Sequence, residues 1–260
     1  MPRVLPIALI AQDSSRLRAY LNAFHKTCTV PSRVLLMRSI PLPASILDEA
    51  TRHNYNKDFF DLSISPELFY KEHGIPLIQT DADNINDISI YKALLGIATP
   101  YILFTGGGIV SRQILNVCNE MVHIHPGKLP QYRGSTCFYY SLLQENELNT
   151  SAIFLREKID TGAKISSCSF SINYFISSDM PYFMDHVLDP FIRAEHLATL
   201  LQSFPKDDVI TCNPQPEWHG QNYYVMHPML RAAAVHRINS LYDKSKMSGV
   251  FLNTTPANGN

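Results

Sequence analysis

The run YILFTGGGIVSRQILNVCNEMVHI, residues 101–124, decides the fold. Residues 101–105 open with a short apolar stretch, as expected of a strand buried on both faces. Gly106, Gly107 and Gly108 end it; 111–116 then predict a short helix and 121–124 the next strand. A strand, a glycine turn, a helix and another strand form the repeating unit of a parallel sheet. The same alternation runs upstream. Residues 5–11 predict a buried first strand, and 14–25 a helix with Leu17, Tyr20, Leu21 and Phe24 along one stripe. A second strand is expected at 33–37. Ser65 and Pro66 start a helix as N-cap and first-turn residue; it ends before Gly74, and 76–79 re-enter the sheet. Residues 87–97 predict a further helix. The chain reads as α/β, with a doubly wound, mainly parallel, Rossmann-like sheet.

The pattern changes after Asn149. Residues 151–157 and 164–171, joined by 158–163, predict an added antiparallel layer. Residues 181–204 predict one long helix, with Phe183, Val187, Leu188, Phe191, Leu197 and Leu201 at near-helical spacing. Residues 1–205 are expected to form the main domain, and 206–260 a short C-terminal extension packing on it, its last residues frayed.

Composition removes several function classes. The 260 residues carry 22 Lys and Arg against 23 Asp and Glu, a net charge of −1. Nucleic-acid or anionic-membrane binding needs concentrated cationic surface, so neither partner is expected. The five cysteines include no CxxC pair, which leaves no zinc knuckle or thioredoxin-type site. No apolar run reaches the roughly 20 residues of a spanning helix. The apolar N-terminus is broken by Pro6 and lacks a cleavage site, so a cytoplasmic protein with reduced thiols is expected. Dinucleotide binding is disfavoured, because Ile109, Val110 and Ser111 follow the triple glycine where a further glycine would be required. Gly106–Gly108 is either a tight turn or a place where backbone closely approaches a ligand at the C-terminal edge of the sheet.

The chemistry concentrates in HIHPGKLPQYRG, residues 123–134. His123 and His125 stand two apart on a strand end, so their side chains leave the same side. The prolines and glycines that follow make a stiff, irregular loop, and loops at strand ends commonly carry sites. Downstream, Ile159-Asp160-Thr161-Gly162 places a carboxylate in a turn, 35 residues after His125. Alone, such an Asp-Thr-Gly is an ordinary Asx-type turn.

Together these segments resemble the formyltransferase family, which includes glycinamide ribonucleotide transformylases, the catalytic domain of methionyl-tRNA formyltransferases and sugar N-formyltransferases. The resemblance covers about 101–165 and rests on His125-Pro126, Leu129-Pro130-Gln131-Tyr132-Arg133-Gly134 and Ile159-Asp160-Thr161-Gly162. It implies formyl transfer from N10-formyltetrahydrofolate to a primary amine. His125 would donate to the developing oxyanion, while Asp160 orients the imidazole, keeps it charged and helps move the amine proton. Gly107, Gly108, Ile109, Val110 and Ile159 match the family's pterin neighbourhood. Lys128, Tyr132 and Arg133 would meet the acceptor, although Arg133 could equally hold its own loop together.

The departure is His123, where the family has an Asn whose amide gives a second hydrogen bond to the oxyanion. One reading has His123 substitute as that donor. Another has it mark a different acyl donor, formyltetrahydrofolate hydrolysis, or a non-catalytic binding protein that kept the fold. A third makes His123, His125 and Asp160 a metal shell. The first is taken as the expectation, with no metal assigned.

Within the family, methionyl-tRNA formyltransferases hold tRNA with a C-terminal barrel. The roughly 55 residues after Pro205, with five Lys or Arg against four Asp or Glu, do not suit one. Gln12-Asp13-Ser14-Ser15 stands where ribonucleotide transformylases have a Gly-Ser-Asn phosphate turn. What remains is a small amine, an amino sugar linked to a nucleotide, of the kind formylated for surface polysaccharides. The aromatic and polar stretch 218–228 would cover the acceptor base, join two copies as a homodimer, or simply pack on the core.

Overall fold

The computed structural model describes residues 1–39, 41–217 and 222–253. Five parallel strands build its first half: β1 (Arg3–Ala11), β2 (Thr29–Leu36), β3 (Leu77–Gln79), β4 (Tyr101–Phe104) and β5 (Glu120–His125). On β1, Leu5, Ile7, Leu9 and Ala11 join one core while Ala8 and Ile10 join the other. A strand covered on both faces has no polar alternation, which is why 5–11 reads as one apolar run.

The connecting helices start where sequence chemistry puts them. Ser14 caps α1 (Ser15–Lys26), its hydroxyl accepting from the Leu17 amide at 3.1 Å. Helices α2 (Ala44–Arg52) and α3 (Tyr55–Asp58) follow β2. Ser65 caps α4 (Pro66–Glu72), and Gly74 turns the chain out at φ 61°. Asp87 caps α5 (Ile88–Leu94), and the short α6 (Arg112–Leu115) follows the glycine turn. Helix α5 and α6 residues belong to one core; α1 lies on the opposite face.

Two expectations are corrected downstream. After β6 (Arg133–Gly134) and α7 (Cys137–Glu145), strands β7 (Leu148–Phe154) and β8 (Lys164–Asn173) are antiparallel, but they extend the same sheet instead of adding a layer. The long helix is also broken in character. Met184–Leu188 is a π turn in which the Asp189 amide donates to the Met184 carbonyl, and α8 (Asp189–Gln202) continues from it. Pro190 supplies the reason: it has no N–H, and its ring crowds the preceding turn, which widens.

Beyond 205, β9 (Asn222–Tyr223) pairs with β6, α9 (Pro228–Leu241) packs on α7, and β10 (Gly249–Asn253) completes the sheet edge against β8. The expected frayed end at 254–260 and residues 218–221 lie outside the described residues. Of the aromatic stretch, Tyr224 and Val225 are exposed and Met226 is buried. The sheet order is β3-β2-β1-β4-β5-β7-β8-β10. Chain direction across the sheet reverses between β1 and β4, and a doubly wound sheet opens a crevice at the carboxyl ends of the strands flanking such a reversal. No helix among the described residues is long and apolar enough to cross a membrane.

Candidate active site

Two hollows open at that crevice. One, of about 240 Å³, is lined by Gln12, Ser14, Ser15 and Arg16 after β1, by Thr105 to Gly107 after β4, and by Asp185 and His186 from the π turn. The other, of about 120 Å³, lies over Gly106 to Ile109, with Met37, Asn84, Ile85 and Phe104 around it. Arg16 fixes the turn between them by donating to the Thr105 and Gly106 carbonyls at 2.8 and 3.2 Å. Asn86 holds the far side, donating to the Ile109 carbonyl at 2.9 Å and accepting from the Ser111 amide at 2.7 Å. A Cβ on Gly107 or Gly108 would meet nothing within 4 Å, so backbone is open to a ligand there. Ile109 is exposed and Val110 buried, while Ile159 is partly exposed on the Asp160 turn.

The structure brings His125 and Asp160 together. Asp160 Oδ2 lies 3.4 Å from His125 Nδ1 and accepts from the Gly134 amide at 2.8 Å. Nε2 of His125 lies 2.7 Å from the Tyr132 carbonyl, which can only accept, so Nε2 carries the proton. The local sequence is what allows this approach. A side chain at Gly127 would touch His125 Nε2 at 2.9 Å and the Tyr132 carbonyl at 3.1 Å. At Gly134, φ is 113° and a Cβ would run into the Tyr223 backbone. At Gly162 a Cβ would coincide with the Phe154 carbonyl. Ser151, on β7, anchors the loop by donating to the Gly127 carbonyl at 2.8 Å and accepting from the Leu129 amide at 3.2 Å.

One expectation about this pair is corrected. Burial lowers the His125 pKa below the usual histidine value; the Asp160 carboxylate opposes the shift without reversing it. Near neutral pH the ring is a neutral base with its lone pair on Nδ1, not the standing cation expected from the sequence. Taking a second proton would turn an N–H toward Asp160 and leave both nitrogens hydrogen-bonded.

His123 does not join them. Its Nδ1 faces the Phe104 carbonyl at 3.2 Å and its Nε2 faces Arg193 Nη1 at 3.5 Å. Arg193 also donates to the Ile124 carbonyl at 2.6 Å and, through Nε, to Asp189 at 2.8 Å. The other Asp189 oxygen takes Arg16 at 3.3 Å. Burial would raise the Asp189 carboxyl, but Arg193 and Arg16 hold it below its usual range. Among the described residues no three His, Cys, Asp or Glu side chains stand where one metal ion could bind them, and a guanidinium beside His123 repels a cation.

The acceptor-loop residues divide. Lys128 is exposed, 3.9 Å from Glu147. Tyr132 is buried, its hydroxyl donating to Gln144 at 3.1 Å. Arg133 donates to Gln215 at 3.0 Å, and Gln215 in turn donates to the Asp160 and Gly162 carbonyls at 2.8 Å each. Gln215, in the segment after 205, therefore ties the loop that carries Arg133 to the Asp160 turn. Arg16, Asp185, His186, Asp189 and Arg193 were not singled out from the sequence. The visible signals were the opposite charges of Asp189 and Arg193 four apart, and Asp185 and His186 interrupting an apolar helix.

No family model matches the chain. Over 123 residues, 45% of this chain, it is 30% identical to a methionyl-tRNA formyltransferase of Finegoldia magna, and the match spans 37% of that relative's length. A solved phosphoribosylglycinamide formyltransferase from Anaplasma phagocytophilum superposes at a TM-score of 0.51 and 13% identity, over 86% of this chain and 99% of that one. A sugar N-formyltransferase from a Shewanella species gives 0.48 at 12%, over 89% and 87% of the two chains. The protein has the formyltransferase fold, a Rossmann-like, mostly parallel eight-stranded sheet with helices. At such identities the likeness is one of architecture.

Proposed function

We propose that the protein is an N-formyltransferase that moves a formyl group from N10-formyltetrahydrofolate to a primary amine on a nucleotide-linked amino sugar. The observation that carries the reading is the buried His125–Asp160 pair, 3.4 Å apart at the end of β5, within the formyltransferase fold. The smaller hollow suits the pterin: Met37, Ile85 and Phe104 offer apolar surface, Asn84 a polar edge, and Gly107 and Gly108 open backbone. The larger hollow, with Arg16, Gln12, Ser14 and Ser15, suits a phosphorylated, hydroxyl-rich acceptor.

The residues supply a base and a positive charge in sequence. Neutral His125 takes the proton that the attacking amine loses, relayed through water and Asp160. The imidazolium so formed, hydrogen-bonded to Asp160 and the Tyr132 carbonyl, puts positive charge beside the formyl oxygen as negative charge develops there. The same proton then goes to the departing folate nitrogen. Tyr223, crossing over Gly134, makes the segment after 205 a cover for this corner.

The test is formyl transfer from N10-formyltetrahydrofolate to a panel of amino-sugar nucleotides, with His125→Ala and Asp160→Ala as controls. Amine-dependent release of tetrahydrofolate by wild type, lost in both variants, is expected. Formate released without any amine would make the protein a hydrolase, and equal background in all three proteins would make it a non-catalytic binder.

A further inference from the structure

We infer that Arg193 is a positioning residue of this site: it donates to His123 Nε2 and so fixes that imidazole in its neutral Nδ1–H form, with no proton to offer a substrate. Two contacts on opposite sides of the ring require the same tautomer. The Phe104 carbonyl, 3.2 Å from Nδ1, can only accept, so Nδ1 carries hydrogen. The Arg193 guanidinium, 3.5 Å from Nε2, can only donate, so Nε2 presents its lone pair. A proton on Nε2 would point at a cation and leave Nδ1 with its lone pair against a carbonyl oxygen.

Arg193 is itself held in place. Its Nε binds Asp189, its Nη1 also binds the Ile124 carbonyl between the two histidines, and its side chain is 7% exposed. It thus sets the strand end from which both His123 and His125 project. The charged and titratable groups around the His123 ring agree with a neutral state. Arg193 comes from α8, with Asp189 behind it, Arg16 from α1 and His125 from β5; burial, the two arginines and any charge gained by His125 disfavour the imidazolium, and the Phe104 carbonyl of β4 favours it. The pattern, one donor and one acceptor, is also what an asparagine amide offers.

The inference rests on the formyltransferase reading only where activity is concerned. Nitrogen-15 spectra of histidine-labelled protein, with His123→Asn identifying the His123 signals among the ten histidines, read which ring nitrogen carries the proton. The expected result is a protonated Nδ1 and bare Nε2, unchanged from about pH 8 down through the usual histidine pKa of 6.5, with Arg193 guanidinium protons protected from exchange and correlated to His123. A proton on Nε2, an imidazolium in that range, or a freely exchanging Arg193 overturns the inference in wild type alone, whether or not any variant folds. In Arg193→Met the ring should begin to titrate and exchange between tautomers, and Arg193→Lys should restore the wild-type signals in part; a wild-type spectrum in Arg193→Met would refute the role. In the formyl-transfer assay, Arg193→Met should lower kcat by up to about 10²-fold with KM little changed, partly rescued by lysine. If wild type transfers no formyl group, the functional reading fails while the spectra still decide the tautomer.

Discussion

In Asp160→Asn, the carboxylate that faces His125 becomes an amide of nearly the same shape. In wild type one oxygen, Oδ2, accepts from the Gly134 amide at 2.8 Å and lies 3.4 Å from His125 Nδ1. The two side chains are 2% and 10% exposed, so water screens the pair little. An asparagine with its oxygen in the Oδ2 position keeps the Gly134 bond and, like that oxygen, only faces the Nδ1 lone pair of neutral His125. The folding cost should therefore be only about 1 kcal/mol. The chemistry should suffer far more. With Asp160 gone, the main influence raising the His125 pKa is lost while burial and Arg193 still lower it. The ring becomes a weaker base, and its protonated form would meet a neutral amide oxygen where wild type offers a carboxylate. A misoriented or mistuned acid–base group costs about 10²–10⁴ in rate, equivalent to about 3–5.5 kcal/mol of barrier. The assay is kcat/KM for formyl transfer against pH, beside a thermal melt. The plateau should drop, and the limb that rises with pH should move to lower pH, because the base that must be unprotonated now has a lower pKa. A folded Asp160→Asn protein working within about threefold of wild type would refute the role of the pair.

Other predictions follow from neighbouring geometry. Gly107→Ala should leave the melting temperature nearly unchanged, since its Cβ meets nothing, yet raise KM for the formyl donor; an unchanged KM would move the folate elsewhere. Gly162→Ala forces a methyl group onto the Phe154 carbonyl and should cost about 3 kcal/mol or more, read by urea unfolding. His196 lies buried between Thr150 and Ser166, 2.8 and 2.7 Å from their hydroxyls, and burial pushes its pKa down to about 4 from 6.5. Above pH 6.5 it is neutral whether folded or unfolded; as pH falls from there to about 4 only the unfolded chain gains the proton, so stability should decline by about 1.4 kcal/mol per pH unit. Urea unfolding of wild type against His196→Gln over that window should show a shallower decline in the variant, and parallel curves would refute the assignment.

The parallel half of the fold was legible because local chemistry and tertiary role coincide there. Ser14, Ser65 and Asp87 cap helices by bonding amides two or three residues ahead, and 5–11 is apolar because both faces of β1 are covered. The approach of His125 to Asp160 was legible for a different reason: Gly127, Gly134 and Gly162 each sit where a Cβ would meet backbone or the imidazole, so the glycines around the motif record its packing. Of what failed, the π turn is a local effect and the rest depends on partners distant in the chain. The π turn answers to Pro190 acting on residues before it, and β10 pairs with a strand some 80 residues upstream at Asn253↔Ser169. The charge expected on His125 was wrong because an adjacent carboxylate is visible in sequence while the depth of burial that outweighs it is not. His123 shows the limit most sharply. Its ring is held by Phe104, 19 residues before it, and Arg193, 70 residues after it. Which nitrogen of a histidine bears the proton is set by those two partners, so no reading of the strand that carries residue 123 could have assigned what that imidazole has to give.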